Sequence, residues 1–217
     1  MENYIQAYAA TSKDKTLEKY TSVLRENVEE LNGLIQEILD FRKAEGAGFS
    51  HTHIRRVSVS SLLRTQFEWF YPLSEQHQIQ FKIDAPKELY WNTDSVYFKK
   101  ILANLISNAF KYTEDGGTVR ISLHEEENFL VLKVYNTGKG IEEADMQNIF
   151  DRYRILGTMD NDDNRQNTAR NGLGLFICHS LVQSLGGKID IESEVGQYAE
   201  FTVTLPCLLY TSPSPRD

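Results

Sequence analysis

Residues 101–113, ILANLISNAFKYT, constrain this chain more than any other stretch. Ile101, Leu102, Leu105, Ile106 and Ala109 recur at helical spacing and have to be buried along one side. Asn104, Asn108 and Lys111, four and three residues apart, then share the neighbouring edge of the same helix. A domain built on this helix must cover a broad apolar stripe while leaving two amides and an ammonium at its margin. Those groups suit a metal-bridged phosphate. An Asn carbonyl oxygen is a hard ligand for magnesium, and Lys111 supplies a point charge for phosphate oxygens. A helix whose polar residues simply face water has the same spacing, so this stretch alone leaves both readings open.

The 217 residues leave room for one domain of ordinary size plus an appendage, and 41% hydrophobic residues suffice for a core. A formal net charge of -8 and a pI near 5.2 repel polyanions with no basic block to compensate. A general nucleic-acid role is thereby excluded, and any phosphate site has to be local. Cys178 and Cys207 are too few and too far apart for a disulfide framework or a zinc site, which suits a reducing, cytoplasmic setting. No apolar run reaches the roughly 18 residues of a membrane helix, and no secretory leader opens the sequence. Membrane contact would have to come from segments outside it.

Ahead of the central helix, Leu17, Tyr20, Leu24, Val28, Leu31, Ile35 and Ile38 recur at alternating threes and fours. That spacing predicts a long amphipathic helix over 15–43 with a coiled-coil-like seam, which needs a partner helix to cover it. Residues 1–46 are therefore expected to form a helical segment, 47–53 a linker, and 54–206 the main domain. Residues 207–217 look like a cloning or read-through scar. Within the domain, alternation predicts strands over 54–59, 78–83, 118–124, 128–135, 188–192 and 200–205, and further helices over 60–71, 142–150 and 173–185. Ser60 or Ser61 should cap the first of these helices, Pro72 should end it, and Asp94 should cap the central one. Elements mixed without strict alternation imply an α+β fold, a two-layer sandwich of one mixed sheet with helices on one face.

Three later segments follow the central helix in order: VYNTGKGI (134–141), IFDRYR (149–154) and NGLGLFICHSLV (171–182). Gly138 and Gly140 come directly after a strand, where a missing side chain lets a flat ring approach the backbone. Gly172 and Gly174 open a helix whose first amides can bind an anion. With the central helix, these segments resemble the N, G1, F and G2 boxes of the catalytic ATP-binding domain of sensor histidine kinases, a GHKL-type ATPase fold preceded by a long dimerisation helix. The resemblance implies catalytic roles for Asn104, Asn108, Lys111 and Arg152, with Mg2+ held by Asn108 and assisted by Asn104. Lys111 and Tyr112 would face the phosphates and ribose of ATP, and Asn136, Gly138, Gly140 and Ile141 would floor the adenine pocket. Gly172, Leu173, Gly174 and Leu175 would contact phosphate, beside an ATP lid over 155–171 anchored by Phe150. The family's adenine contact is an Asp. Here it is Asn136, which keeps an acceptor oxygen but loses the charge. In GQYAEF (196–201), Tyr198 and Ala199 replace a Gly and a hydroxyl residue, which is expected to narrow the adenine pocket.

The same resemblance makes residues 15–43 the second arm of a dimerisation hairpin. It implies a homodimer and the receiver domain of a response regulator as partners, and no nucleic acid. The implied chemistry is transfer of the γ-phosphoryl of Mg-ATP to a His on the first arm. None of His51, His53, His77, His124 and His179 precedes the long helix, so this sequence is expected not to phosphorylate itself. Two other readings stay open: a nucleotide-blind module signalling through dimer geometry, and another ATPase of the same fold, such as a type II topoisomerase or a heat-shock chaperone.

Overall fold

The computed structural model describes residues 52–146, 148–150 and 174–208. The expectations for the long helix, most of the linker, the segment 151–173 and the tail beyond 208 lie outside the described residues. The described elements are β1 (Arg55–Ser58), α1 (Val59–Gln76), β2 (Gln80–Asp84), β3 (Tyr90–Thr93), α2 (Ser95–Tyr112), β4 (Thr118–Glu126), β5 (Phe129–Thr137), α3 (Glu143–Met146), α4 (Gly174–Ser184), β6 (Lys188–Glu194) and β7 (Tyr198–Pro206).

Alternating side chains decide the sheet. Val119, Ile121 and Leu123 of β4, Leu130, Leu132 and Val134 of β5, and Phe201, Val203 and Leu205 of β7 are all buried, while their neighbours along each strand, apart from the buried Val131 and the exposed Phe129 of β5, are polar or half-buried. The strands form a mixed sheet in the order β2-β4-β5-β7-β6, with β2 parallel to β4 and the other pairs antiparallel. Helices α1, α2 and α4 pack on the buried face. Phe67 and Phe70 of α1, Phe81 of β2 and Phe110 of α2 join these layers, with ring centroids 4.4 to 5.4 Å apart. The fully buried Leu105 stands in this core, so truncation to Ala would cost roughly 2 to 5 kcal/mol. The expected two-layer α+β sandwich is the observed one.

Several local expectations need correction. Helix α1 is capped by Ser58, whose Oγ accepts from the Ser61 amide, and neither Ser60 nor Ser61 serves. Ser60 is fully buried inside the first turn. The helix also runs through Pro72. Pro72 and Glu68 are both exposed, so the carbonyl that loses its bond can turn to water. It ends instead where the His77 amide donates to Leu73 O and Gln78 takes a φ of 54°. The helix expected over 142–150 closes after Met146, with the Asn148 amide donating to Asp145 O in a tight turn. Strand β3 was not expected. It is short, and it exists by pairing with β1 in a separate two-stranded ribbon. At the other end the Cys207 amide donates to Asn128 O and Leu208 packs on the core, so the packed unit reaches Leu208.

Candidate nucleotide site

Helix α2 starts at Asp94, whose Oδ1 accepts from the amides of Val96 and Tyr97 at 2.8 and 3.2 Å. Burial, with the Asp94 charge beside it, raises the Tyr97 hydroxyl above its ordinary pKa. The apolar stripe of α2 is buried as its spacing demands, and Asn104 and Asn108 lie half-buried at its margin. Lys111 and Tyr112 are exposed at the C-terminal end, with the Lys111 ammonium 5.5 Å from the Tyr112 ring centre. A Cβ placed on Gly174 would sit 3.5 Å from Asn104 Oδ1. The polar margin of α2 therefore faces the start of α4, whose second residue, Leu175, packs against the core.

Strand β5 delivers Asn136 to the helix side of the sheet, between Val119 of β4 and Ala199 of β7. It is only 5% exposed, and its Nδ2 donates to Thr137 O at 3.1 Å. With one N–H of its amide held by a main-chain carbonyl, Asn136 presents Oδ1, which can only accept, as its acceptor for a ligand. The loop that follows is fixed on both sides. The Gly138 amide donates to Gln197 O at 3.0 Å, the Gly196 amide to Lys139 O at 2.7 Å, and the Ile141 amide to Ser193 Oγ at 2.8 Å. The two glycines make room for backbone more than for a flat ring: a Cβ on Gly138 would fall on the Tyr112 carbonyl, and one on Gly140 on the Glu194 carbonyl. Gly140 also has a φ of +66°. The loop is thus seated on the end of α2.

Tyr198 does not narrow this side. Its ring stacks on Tyr135 with centroids 5.4 Å apart, on the face of the sheet opposite Asn136. Strand alternation puts Ala199, not Tyr198, beside Asn136. Sequence reasoning missed Ser193, whose Oγ accepts from Ile141 and donates to Tyr198 O at 2.6 Å. Nothing in its spacing marks it. His179 stacks on Phe150 at 5.2 Å and His124 lies within β4. A cavity of about 430 Å3 opens on the outer side of the glycine loop, lined by Glu114, Gly117, Thr137, Lys139 and Gln197 among others, but not by Asn104, Asn108 or Asn136. Among the described residues no group of three or more His, Cys, Asp or Glu is placed to hold a metal. A divalent cation here would depend on amide oxygens and on its ligand's own. Arg152, Gly172 and Leu173 lie outside the described residues.

A polar-edged helix, an anchored glycine loop and a second helix start, all on the covered face of a mixed sheet, define the class: a two-layer ATPase domain. The chain belongs to the histidine kinase-, DNA gyrase B-, and HSP90-like ATPase family, which it matches over residues 93–208. Among curated proteins it is similar to the sensor protein SrrB of Staphylococcus aureus, with 30% identity over 196 residues, 90% of this chain and 33% of that protein. It is also similar to the circadian input-output histidine kinase CikA of Synechococcus elongatus, with 32% identity over 191 residues, 87% of this chain and 25% of that protein. This chain thus spans a third or less of those relatives. Among solved structures, full-length ShkA in complex with AMPPNP superposes with a TM-score of 0.75 and 25% identity, covering 94% of this chain and 41% of that one. Among the described residues no helix is long and apolar enough to cross a membrane.

Proposed function

We propose that this chain is the ATP-binding catalytic part of a two-component sensor histidine kinase working in the cytoplasm. The observation that carries the reading is the approach of Asn104 to the start of α4 at Gly174, which brings its amide oxygen to a helix N-terminus suited to phosphate. ATP is the substrate. Its γ-phosphoryl group would pass to a histidine nitrogen on a hairpin helix as the bond to the departing ADP breaks. The residues fit a hard cation, since Asn108 and Asn104 offer neutral oxygens at the margin of α2. Mg2+ held there would offset phosphate charge. Lys111 and Tyr112 serve phosphate and ribose, and Gly172, Leu173, Gly174 and Leu175 the phosphates. Arg152 would offset charge on the transferred group. Gly138, Gly140 and Ile141 shape the adenine wall, and Asn136 Oδ1 accepts from the adenine amino group. Residues 15–43 pair with a second copy, and the receiver domain of a response regulator takes the phosphoryl group onward.

Calorimetry tests the site. Asn108→Ala should weaken Mg-ATP by about tenfold or more through loss of a metal ligand, while metal-free adenosine binds nearly as before. Equal losses for both ligands would point to a general packing defect, and no heat with millimolar Mg-ATP on the unaltered chain would favour the nucleotide-blind alternative.

A further inference from the structure

Asp94 holds more than a helix cap. While its Oδ1 takes the amides of Val96 and Tyr97, its Oδ2 accepts from the amide of His53 at 2.8 Å, a residue 41 positions earlier. Asp94 is 3% exposed, so little water competes for these bonds. His53 lies where the chain enters the domain. From there β1 pairs with β3 and not with the main sheet, and β3 ends at Thr93, immediately before Asp94. Arg55 Nη2 adds a bond to Ser95 Oγ at 2.8 Å. The ribbon reaches the main sheet through packing and the Trp91 indole, which donates to Pro206 O at 3.2 Å, rather than through a strand ladder.

We propose that Asp94 is a positioning residue: its second oxygen fastens the entering chain to the start of α2, so that displacement of the residues before His53 is passed to the helix carrying Asn104, Asn108 and Lys111. A cap needs only one of the two oxygens. The other forms a clasp between the entering segment and the helix that lines the site. What the margin of α2 then does rests on the ATP reading above.

Two substitutions open the clasp without removing the cap. Asp94→Asn keeps one oxygen for Val96 and Tyr97 and sets an NH2 against the His53 amide. His53→Pro deletes the donor and leaves Asp94 intact. The two single variants and the double variant are compared with the unaltered chain by amide hydrogen exchange and by calorimetry with Mg-ATP. In Asp94→Asn the His53 amide should exchange rapidly while Val96 and Tyr97 stay protected. In both single variants exchange over 101–112 should quicken and Mg-ATP should bind about threefold to tenfold more weakly, the span of one hydrogen bond's net contribution. The double variant should lose no more than either single one, because both remove the same bond. If the unaltered chain binds Mg-ATP, unchanged affinity in both single variants, or additive losses in the double one, overturns the proposal. If it binds none, the nucleotide reading fails by itself and exchange over 101–112 decides: faster in both variants supports the clasp, unchanged overturns it.

Discussion

Replacing Asn136 by Asp puts back the charged adenine contact found in the resembling kinases, but into a site built around an amide. In the folded chain Asn136 is 5% exposed and its Nδ2 donates to Thr137 O at 3.1 Å. A carboxylate cannot donate there. The substitution loses a neutral bond worth about 1 kcal/mol and turns a charged oxygen toward a carbonyl, a mismatch of roughly 1 to 3 kcal/mol more. Asn136→Asp should therefore lower unfolding free energy by about 2 to 4 kcal/mol at pH 7. Burial raises the introduced carboxyl above its unfolded pKa. The penalty is thus present above the folded pKa and fades as pH falls toward the unfolded value, where a protonated carboxyl can donate to Thr137 as the amide did. Binding moves the other way. A charge-assisted bond to the adenine amino group is stronger than a neutral one by about 0.5 to 2 kcal/mol, or roughly twofold to thirtyfold in ATP affinity. GTP offers an acceptor at that position and should bind weakly to both proteins. Urea titrations at pH 7 and near pH 4.5, with calorimetry using ATP and GTP, measure all of this. The reasoning is refuted if the variant is as stable as the parent at pH 7, or if the parent binds GTP as tightly as ATP, which would mean that the NH2 group faces the ligand.

Gly140→Ala should cost about 2 to 5 kcal/mol, because its φ of +66° is strained for Ala and the Cβ would fall on the Glu194 carbonyl. Gly196→Ala, at a φ of +76° with nothing within 4 Å, should cost only about 1 to 2 kcal/mol, and equal losses in urea titrations would contradict the packing argument. Burial pushes the Cys178 thiol up to about 12 whereas Cys207 is exposed, so a thiol reagent at pH 8 should label one cysteine in the folded chain and the second only after denaturation. Light scattering should find a dimer formed through residues 15–43, since the apolar seam read from their spacing needs cover, and a monomer at high micromolar concentration would exclude that partner surface.

The sequence by itself determined the elements whose burial pattern is local. The stripe of α2 and the alternation of β4, β5 and β7 were legible because side-chain period and burial coincide there. Asp94 was legible as a cap for the same reason, since it bonds amides two and three residues on. What lay outside local pattern was decided by partners distant in sequence. Strand β3 forms because β1 lies beside it. Pro72 stays inside a helix because it and Glu68 are exposed, so the carbonyl it orphans can turn to water. Tyr198 turns away from Asn136 because the register with β5 puts it opposite Thr137. The candidate site shows the same division. The types and spacing of Asn104, Asn108 and Asn136 were in the sequence, whereas the anchoring of the Asn136 amide on Thr137, the seating of Gly138 on Tyr112 and the clasp from Asp94 to His53 came only with the fold. Each depends on an orientation or a contact that neither residue type nor spacing encodes, and only the packed chain fixes those.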